Sequence, residues 1–184
     1  MKIFSAALLL ALSLLISPNA AYAQEKTSAL SVAVININAI RQNALAVKSI
    51  SDQIQNYRTA FQAEIQKEEE VLRGANQELS RQRTLLSAEA FAEKRREFEQ
   101  RVSQVQRMVQ QRKSNLDRVQ AESMGKVQDA LNKIVSDIAT EKSYNLILRR
   151  DQTVLVSKEL DITEPVLAAL NKNLVSVVVN EPAK

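Results

Sequence analysis

The apolar positions of this chain change spacing several times, and each change predicts a different element. Ile3 to Ile16 is a nearly unbroken apolar run, preceded by Met1-Lys2 and ended by Pro18-Asn19. Ser31 to Ile37 is apolar at both alternating sets, Val32 and Val34 on one, Ala33, Ile35 and Ile37 on the other. A short β-branched run of this kind predicts a strand near 31–37 that is buried on both faces. From Asn43 the spacing becomes helical. Val47, Ile50, Ile54, Tyr57 and Phe61 lie 3, 4, 3 and 4 apart, and Ile65, Leu72, Ala75, Leu79 and Leu86 continue the stripe. A second stripe runs through Phe91, Arg95, Phe98, Val102, Val105, Val109, Leu116 and Val119. After a phase slip near Ser123 it resumes at Met124, Val127, Leu131, Ile134 and Ile138. Sustained a/d seams of this length predict a coiled coil.

No proline occurs between Pro18 and Pro165, so nothing in that span must interrupt a helix. Ser87 is a good N-cap and Glu89 would sit in the first turn after it. The Leu86-Ser87-Ala88 region therefore predicts the turn between two antiparallel arms, each about 60 Å long for roughly 40 residues. Near Tyr144 the period changes back. Tyr144 to Leu148 and Thr153 to Val156 are strand-like runs on either side of Arg149-Arg150-Asp151-Gln152, at hairpin spacing though without a turn glycine. They predict strands near 144–149 and 153–157. Asp161-Ile162-Thr163-Glu164-Pro165 predicts a short helix near 164–175, with Thr163 as its N-cap. Val177 to Lys184 predicts nothing definite.

The chain is thus expected to be mainly helical with a small β body. Residues 1–23 form a cleavable signal peptide, residues 24–43 and 120–184 a body, and residues 44–119 a helical-hairpin arm. The first segment has a positive start, an apolar run shorter than the roughly 20 residues of a bilayer span, and the small-x-small site Ala21-Tyr22-Ala23. The body strands lie more than a hundred residues apart and can share a sheet only if the arm brings the chain back. Three strands and one short helix bury too little to stand alone, so oligomerisation through the sheet is expected. Val32, Val34, Ile35, Leu146, Leu148, Val154 and Val156 are the expected core of that body.

Composition narrows the chemistry. The 184 residues include no Cys, no His, no Trp and 2 Gly. Thiol and imidazole catalysis, disulfides and zinc fingers are excluded. Gly125-Lys126-Val127 lacks the rest of a phosphate-binding loop. No enzyme activity, metal or cofactor is expected. Gly74, inside the first arm, costs about 1 kcal/mol relative to Ala and is a candidate hinge.

Charge is uneven. Residues 73–118 carry 11 basic and 6 acidic side chains, whereas 24–72 carry 5 and 6 and 119–184 carry 8 and 9. The basic arm surface comprises Arg81, Arg83, Lys94, Arg95, Arg96, Arg101, Arg107, Arg112 and Lys113. It is either a solvated helical face or a surface that attracts anionic partners. Nucleic acid is disfavoured, because no aromatic stacking platform interleaves the basic residues. Tyr57, Phe61, Phe91 and Phe98 lie on the arms, where a/d phasing assigns them to packing within the hairpin and contact with a binding partner is the second reading. Glu68-Glu69-Glu70 is expected to be a solvated face.

The mature chain resembles the Skp/OmpH family of periplasmic chaperones. The resemblance rests on the signal peptide, the strand Val32 to Ile37, and the long charged hairpin without His, Cys or Trp. It continues in Gly125-Lys126, Tyr144 to Leu148, the strand at Val154, and Asp161-Ile162-Thr163 opening the last helix. It implies a homotrimer with an intersubunit β-barrel as its body and three helical tentacles around a cavity. That cavity would hold unfolded outer-membrane proteins without ATP. Lipopolysaccharide or an anionic membrane surface is a further implied partner, through a basic patch that has no residue-by-residue match here. The competing reading is a structural coiled-coil spacer or tether of the cell envelope.

Overall fold

The computed structural model describes residues 30–182. The expected signal peptide, residues 1–23, lies outside them. Two long helices make the arm: α2, Leu45–Gln82, and α3, Ala88–Glu141. At 1.5 Å per residue their 38 and 54 residues span about 57 and 81 Å. α3 is the longer because it passes the base of the arm and continues through the body.

The turn between them is fixed locally. The Gln82 carbonyl accepts from the amides of Leu85 and Leu86, each at 3.0 Å. Ser87 Oγ then accepts from the Ala90 amide at 3.3 Å, and Glu89 adds a negative charge in the first turn of α3. Both features suit the electropositive start of a helix. At the phase slip, Ser123 is buried and its hydroxyl donates to the Val119 carbonyl at 2.7 Å. The hydroxyl is satisfied inside its own helix, so a polar residue can occupy the seam.

The seam is deep only near the body. Ile50 and Ile54 of α2 share one cluster with Leu116, Val119, Val127, Leu131 and Ile134 of α3. Between residues 55 and 104 no side chain is buried. Gly74 lies in this thin stretch, within an uninterrupted α2, and a Cβ there would meet nothing within 4 Å. Gly74→Ala is therefore expected to stabilise the arm by about 0.5–1 kcal/mol, read as slower amide exchange around residues 70–80.

The body is built on one central strand. β1, Val32–Ile35, pairs in parallel with β2, Leu146–Arg149, from Val32 opposite Leu146 to Ile35 opposite Arg149. On its other side Val34 bridges Asp161, and the Ile162 amide donates to the Val34 carbonyl at 2.9 Å. Parallel strands need a long crossover, and here the crossover is the whole arm. A short helix, α1, Ile37–Asn43, follows β1, so Ile37 belongs to a helix rather than to the expected strand. Asn36 caps it by accepting from the Ala39 amide at 3.0 Å. The chain breaks at Ala44 and restarts as α2. The Leu45 amide donates to Asn171 Oδ1 of α4, Thr163–Asn173, at 2.8 Å. Ala44 and Ala46 have no exposed surface, which leaves no room for larger side chains at this corner.

Two local expectations fail for identifiable reasons. Residues 153–157 are not a strand. Arg150–Gln152 is a 3-10 turn in which both the amide and the hydroxyl of Thr153 donate to the Arg150 carbonyl, at 3.2 and 2.8 Å. The turn contains no glycine or asparagine to supply the positive φ of a tight hairpin, so the chain does not return along β2. It runs instead to a second 3-10 turn, Lys158–Leu160. Val154 is wholly exposed in the chain, and so is not part of its core. Thr163 is not the cap of α4 but its first residue. Its hydroxyl accepts from the Asn36 amide at 2.8 Å, and its own amide donates to Asp161 Oδ1 at 2.9 Å.

α3 ends through Ser143, whose φ of 57° is left-handed. The Tyr144 amide donates to the Ala139 carbonyl at 2.9 Å, closing the helix end. Ser143→Gly is expected to raise stability by about 0.5–1 kcal/mol in urea titration, because glycine adopts that φ without steric cost.

Candidate functional site

The arm is the candidate site, and its apolar side chains are held half-open by the thin seam. Tyr57 and Phe61 lie at the base, in a groove of about 360 Å³ lined also by Ala60, Glu64, Arg112, Leu116, Glu181 and Pro182. Phe98 lies farther out, in a second groove of about 340 Å³ with Ala75, Leu79, Lys94 and Arg101 among its walls. Phe91 is half-buried and lines neither groove. The four aromatics are thus divided between base and outer arm and do not form one surface. Ile65, Leu72, Leu79 and Val102 are half-buried between them, and Val71, Leu85 and Leu86 are exposed.

The basic residues separate into three groups. Arg112 and Arg101 clamp the two helices together. Arg112 Nη2 donates to both oxygens of Glu64 at 2.9 and 2.8 Å, and Arg101 pairs with Glu68. Glu68 is therefore a cross-arm partner and not merely part of a solvated acidic face. The antiparallel register, fixed by the turn at 82–87, is the signal that would have paired them. Arg81, Lys94, Arg95 and Arg96 form pairs within their own helices, with Glu78, Glu97, Glu99 and Glu93. All are more than half exposed, so solvent screens these pairs and they add little to stability. The hydrogen bond and charge of Glu97 hold the Lys94 amine above its ordinary value. Arg83, Arg107 and Lys113 have no ion-pair partner among the described residues.

The Arg112 side chain is 18% exposed, and its Nε is buried without an acceptor. Removing Glu64 would leave a guanidinium largely desolvated and unpaired. Glu64→Ala is expected to cost about 1–2 kcal/mol, read as a lower urea midpoint.

The expected body residues divide in the same way. Val34 and Ile35 are buried within the chain, and Val32, Leu148 and Val156 are half-buried. Leu146 is 41% exposed on β2, whose outer edge has no strand partner among the described residues. Leu30, Val154, Leu155 and Leu160 are also exposed apolar side chains of the body.

The chain's last segment is a feature the sequence did not reveal. Residues 174–182, outside any helix or strand, cross the base of the arm. Val177 and Val179 are buried, while Val178 between them is exposed. Gln53 Nε2 donates to the Val177 carbonyl at 2.8 Å, and Gln53 Oε1 accepts from the Val179 amide at 3.1 Å. Among the described residues no helix is long and apolar enough to cross a membrane, and no acidic, Cys or His cluster could hold a metal ion.

A small parallel sheet whose crossover is a long helical hairpin defines a class of arm-and-body proteins. The family model for outer membrane protein (OmpH-like) matches residues 31–170, and the chain belongs to this Skp/OmpH family. The chaperone protein Skp of Pectobacterium atrosepticum is 25% identical over 136 residues, covering 74% of this chain and 82% of that protein. The crystal structure of a putative outer membrane chaperone (OmpH-like) from Caulobacter crescentus superposes with a TM-score of 0.78 at 17% identity. It covers 84% of this chain and 92% of that one, and so has the same fold.

Proposed function

We propose that the protein is an ATP-independent holdase chaperone of the periplasm, which keeps unfolded outer-membrane β-barrel proteins from aggregating before insertion. The observation that carries this reading is the absence of any buried side chain between residues 55 and 104. A rigid spacer would be expected to close its seam along its whole length. Here phenylalanines, leucines and valines stay half-exposed over most of the arm, next to basic side chains. Many shallow contacts of this kind hold an unfolded chain by avidity and still release it without ATP, because each breaks separately. The names of its relatives, a chaperone Skp and an outer membrane chaperone, support the same reading.

The active form in this proposal is a homotrimer joined through the body. The unpaired edge of β2 and the exposed Leu146, Val154 and Leu155 support it, since a small parallel sheet with an open edge invites a further strand or copy. The basic outer arm would draw in acidic clients, and anionic lipopolysaccharide or membrane surface, by long-range attraction. The test is refolding of an outer-membrane β-barrel protein from denaturant with the purified chain. Light scattering should be suppressed at about one trimer per client. Unchanged scattering would favour the envelope spacer instead.

A further inference from the structure

The base of the arm holds a peptide already, and that peptide is the chain's own. We propose that this groove is a binding site for extended segments with alternating apolar side chains, and that residues 174–182 fill it at rest. The inference rests on the chaperone reading above but concerns how one site is built and occupied.

Three observations point the same way. The first is the manner of recognition. The Gln53 amide reads a backbone carbonyl at 177 and a backbone amide at 179, at 2.8 and 3.1 Å. Two bonds to the main chain of alternate residues are those an adjacent strand would make, and they are indifferent to the side chains. The second is the alternation. Val177 and Val179 enter the core cluster, whereas Val178 is 74% exposed. Period-two alternation is also the pattern of a β-barrel strand, one face apolar and the other polar. The third is that the groove continues past the strap. Glu181 and Pro182 form one of its walls, and beyond them about 360 Å³ stays open over Tyr57, Phe61 and Leu116. Arg112, which also lines it, carries a buried Nε donor with no acceptor. An extended segment can therefore seat in the open part first and then displace the strap residue by residue.

The strap also lies outside the stretch matched by the family model, which ends at residue 170.

The probe is a fluorescent peptide with the sequence of residues 174–184, followed by anisotropy against the full chain. In the unaltered protein the tethered strap competes at an effective concentration near millimolar, so binding should be weak. The full chain carrying Val177→Asp and Val179→Asp cannot dock its own strap, and should bind the peptide about tenfold or more tightly. Adding Gln53→Leu to that variant should remove most of the gain. A folded double variant that binds no peptide, or binds it equally with Leu at 53, overturns the proposal. If the double variant does not fold, hydrogen exchange on the unaltered chain decides. Millimolar peptide should speed exchange of the amides at 177–180 severalfold, and unchanged exchange overturns the site. No outer-membrane protein enters these measurements, so their failure leaves the refolding assay, and the reading it tests, standing on its own result.

Discussion

Replacing Ile35 with Asp is expected to unfold the body, whereas Leu146→Asp should leave each chain folded and separate the chains from one another. The two positions belong to paired strands but differ in what covers them. Ile35 is 3% exposed, in the same cluster as Ile40, Ile162 and Val166. Its register partner Arg149 is exposed and already paired with Asp151, so a carboxylate at 35 would be desolvated at a cost of several kcal/mol, a large part of the 5–15 kcal/mol that stabilises a typical domain. Leu146 is 41% exposed within the chain, so an Asp there keeps its water and should cost about 1 kcal/mol or less. In the proposed trimer the same residue is covered by a neighbour, and the charge would oppose association. Circular dichroism melts should lose their cooperative transition for Ile35→Asp and keep it for Leu146→Asp. Sedimentation equilibrium should give trimer mass for the unaltered protein and monomer mass for Leu146→Asp. A Leu146→Asp chain of unchanged mass would remove the β2 edge from the interface.

The second large effect concerns capture. Arg83, Arg107 and Lys113 have no ion-pair partner among the described residues, so reversing them to Glu breaks no pair seen there and moves the outer arm from an excess of basic to an excess of acidic groups. Reversing Arg101 would be a poorer test, because it would set a carboxylate against Glu68 and strain the arm itself. Long-range attraction accelerates encounter and is screened over about 8 Å at physiological salt, while short-range apolar contacts govern release. Stopped-flow association with an acidic unfolded client should slow about tenfold at low salt in the triple variant, with dissociation changed far less. Rates that ignore both salt and the reversals would reduce the basic surface to a solvated helical face.

The long-range plan of the chain was legible because it rests on periodicity. The a/d stripes identified both arm helices, and Ser87 marked the start of the second. The failures were local. The run at 153–157 has the composition of a strand, but strand formation needs a partner edge and a turn able to reach it. Arg150-Asp151-Gln152 provides no such turn. α1 was missed because Ile37 reads equally well as the end of β1, and a helix of 7 residues is too short to show a period. The strap was missed for a different reason. Its docking depends on Gln53, a polar residue 124 positions away from Val177, and no local pattern records such a bond. The charged residues were identifiable by type, but only the register of α2 against α3 distinguishes Arg112, which is clamped to Glu64, from Arg107, which has no acidic partner among the described residues.

The placement of β1 against β2 also governs the order in which the molecule can assemble. Val32 pairs with Leu146 across more than a hundred residues, and closing so long a loop from a random chain is slow and entropically costly. The arm changes that geometry. Its helices rest on local contacts, and their antiparallel pairing brings residues 35 and 149 to the same end of the arm. A formed hairpin would thereby shorten the body's slowest search, and its base also supplies Ile50, Ile54, Val127 and Leu131 to the core cluster. Substitutions near the turn, where no side chain is buried, should therefore alter the rate of body formation, read by stopped-flow refolding. Made amino end first, the chain must hold β1 unpaired until residue 146 has been added. Throughout that interval the strand's exposure is set by how quickly the arm closes.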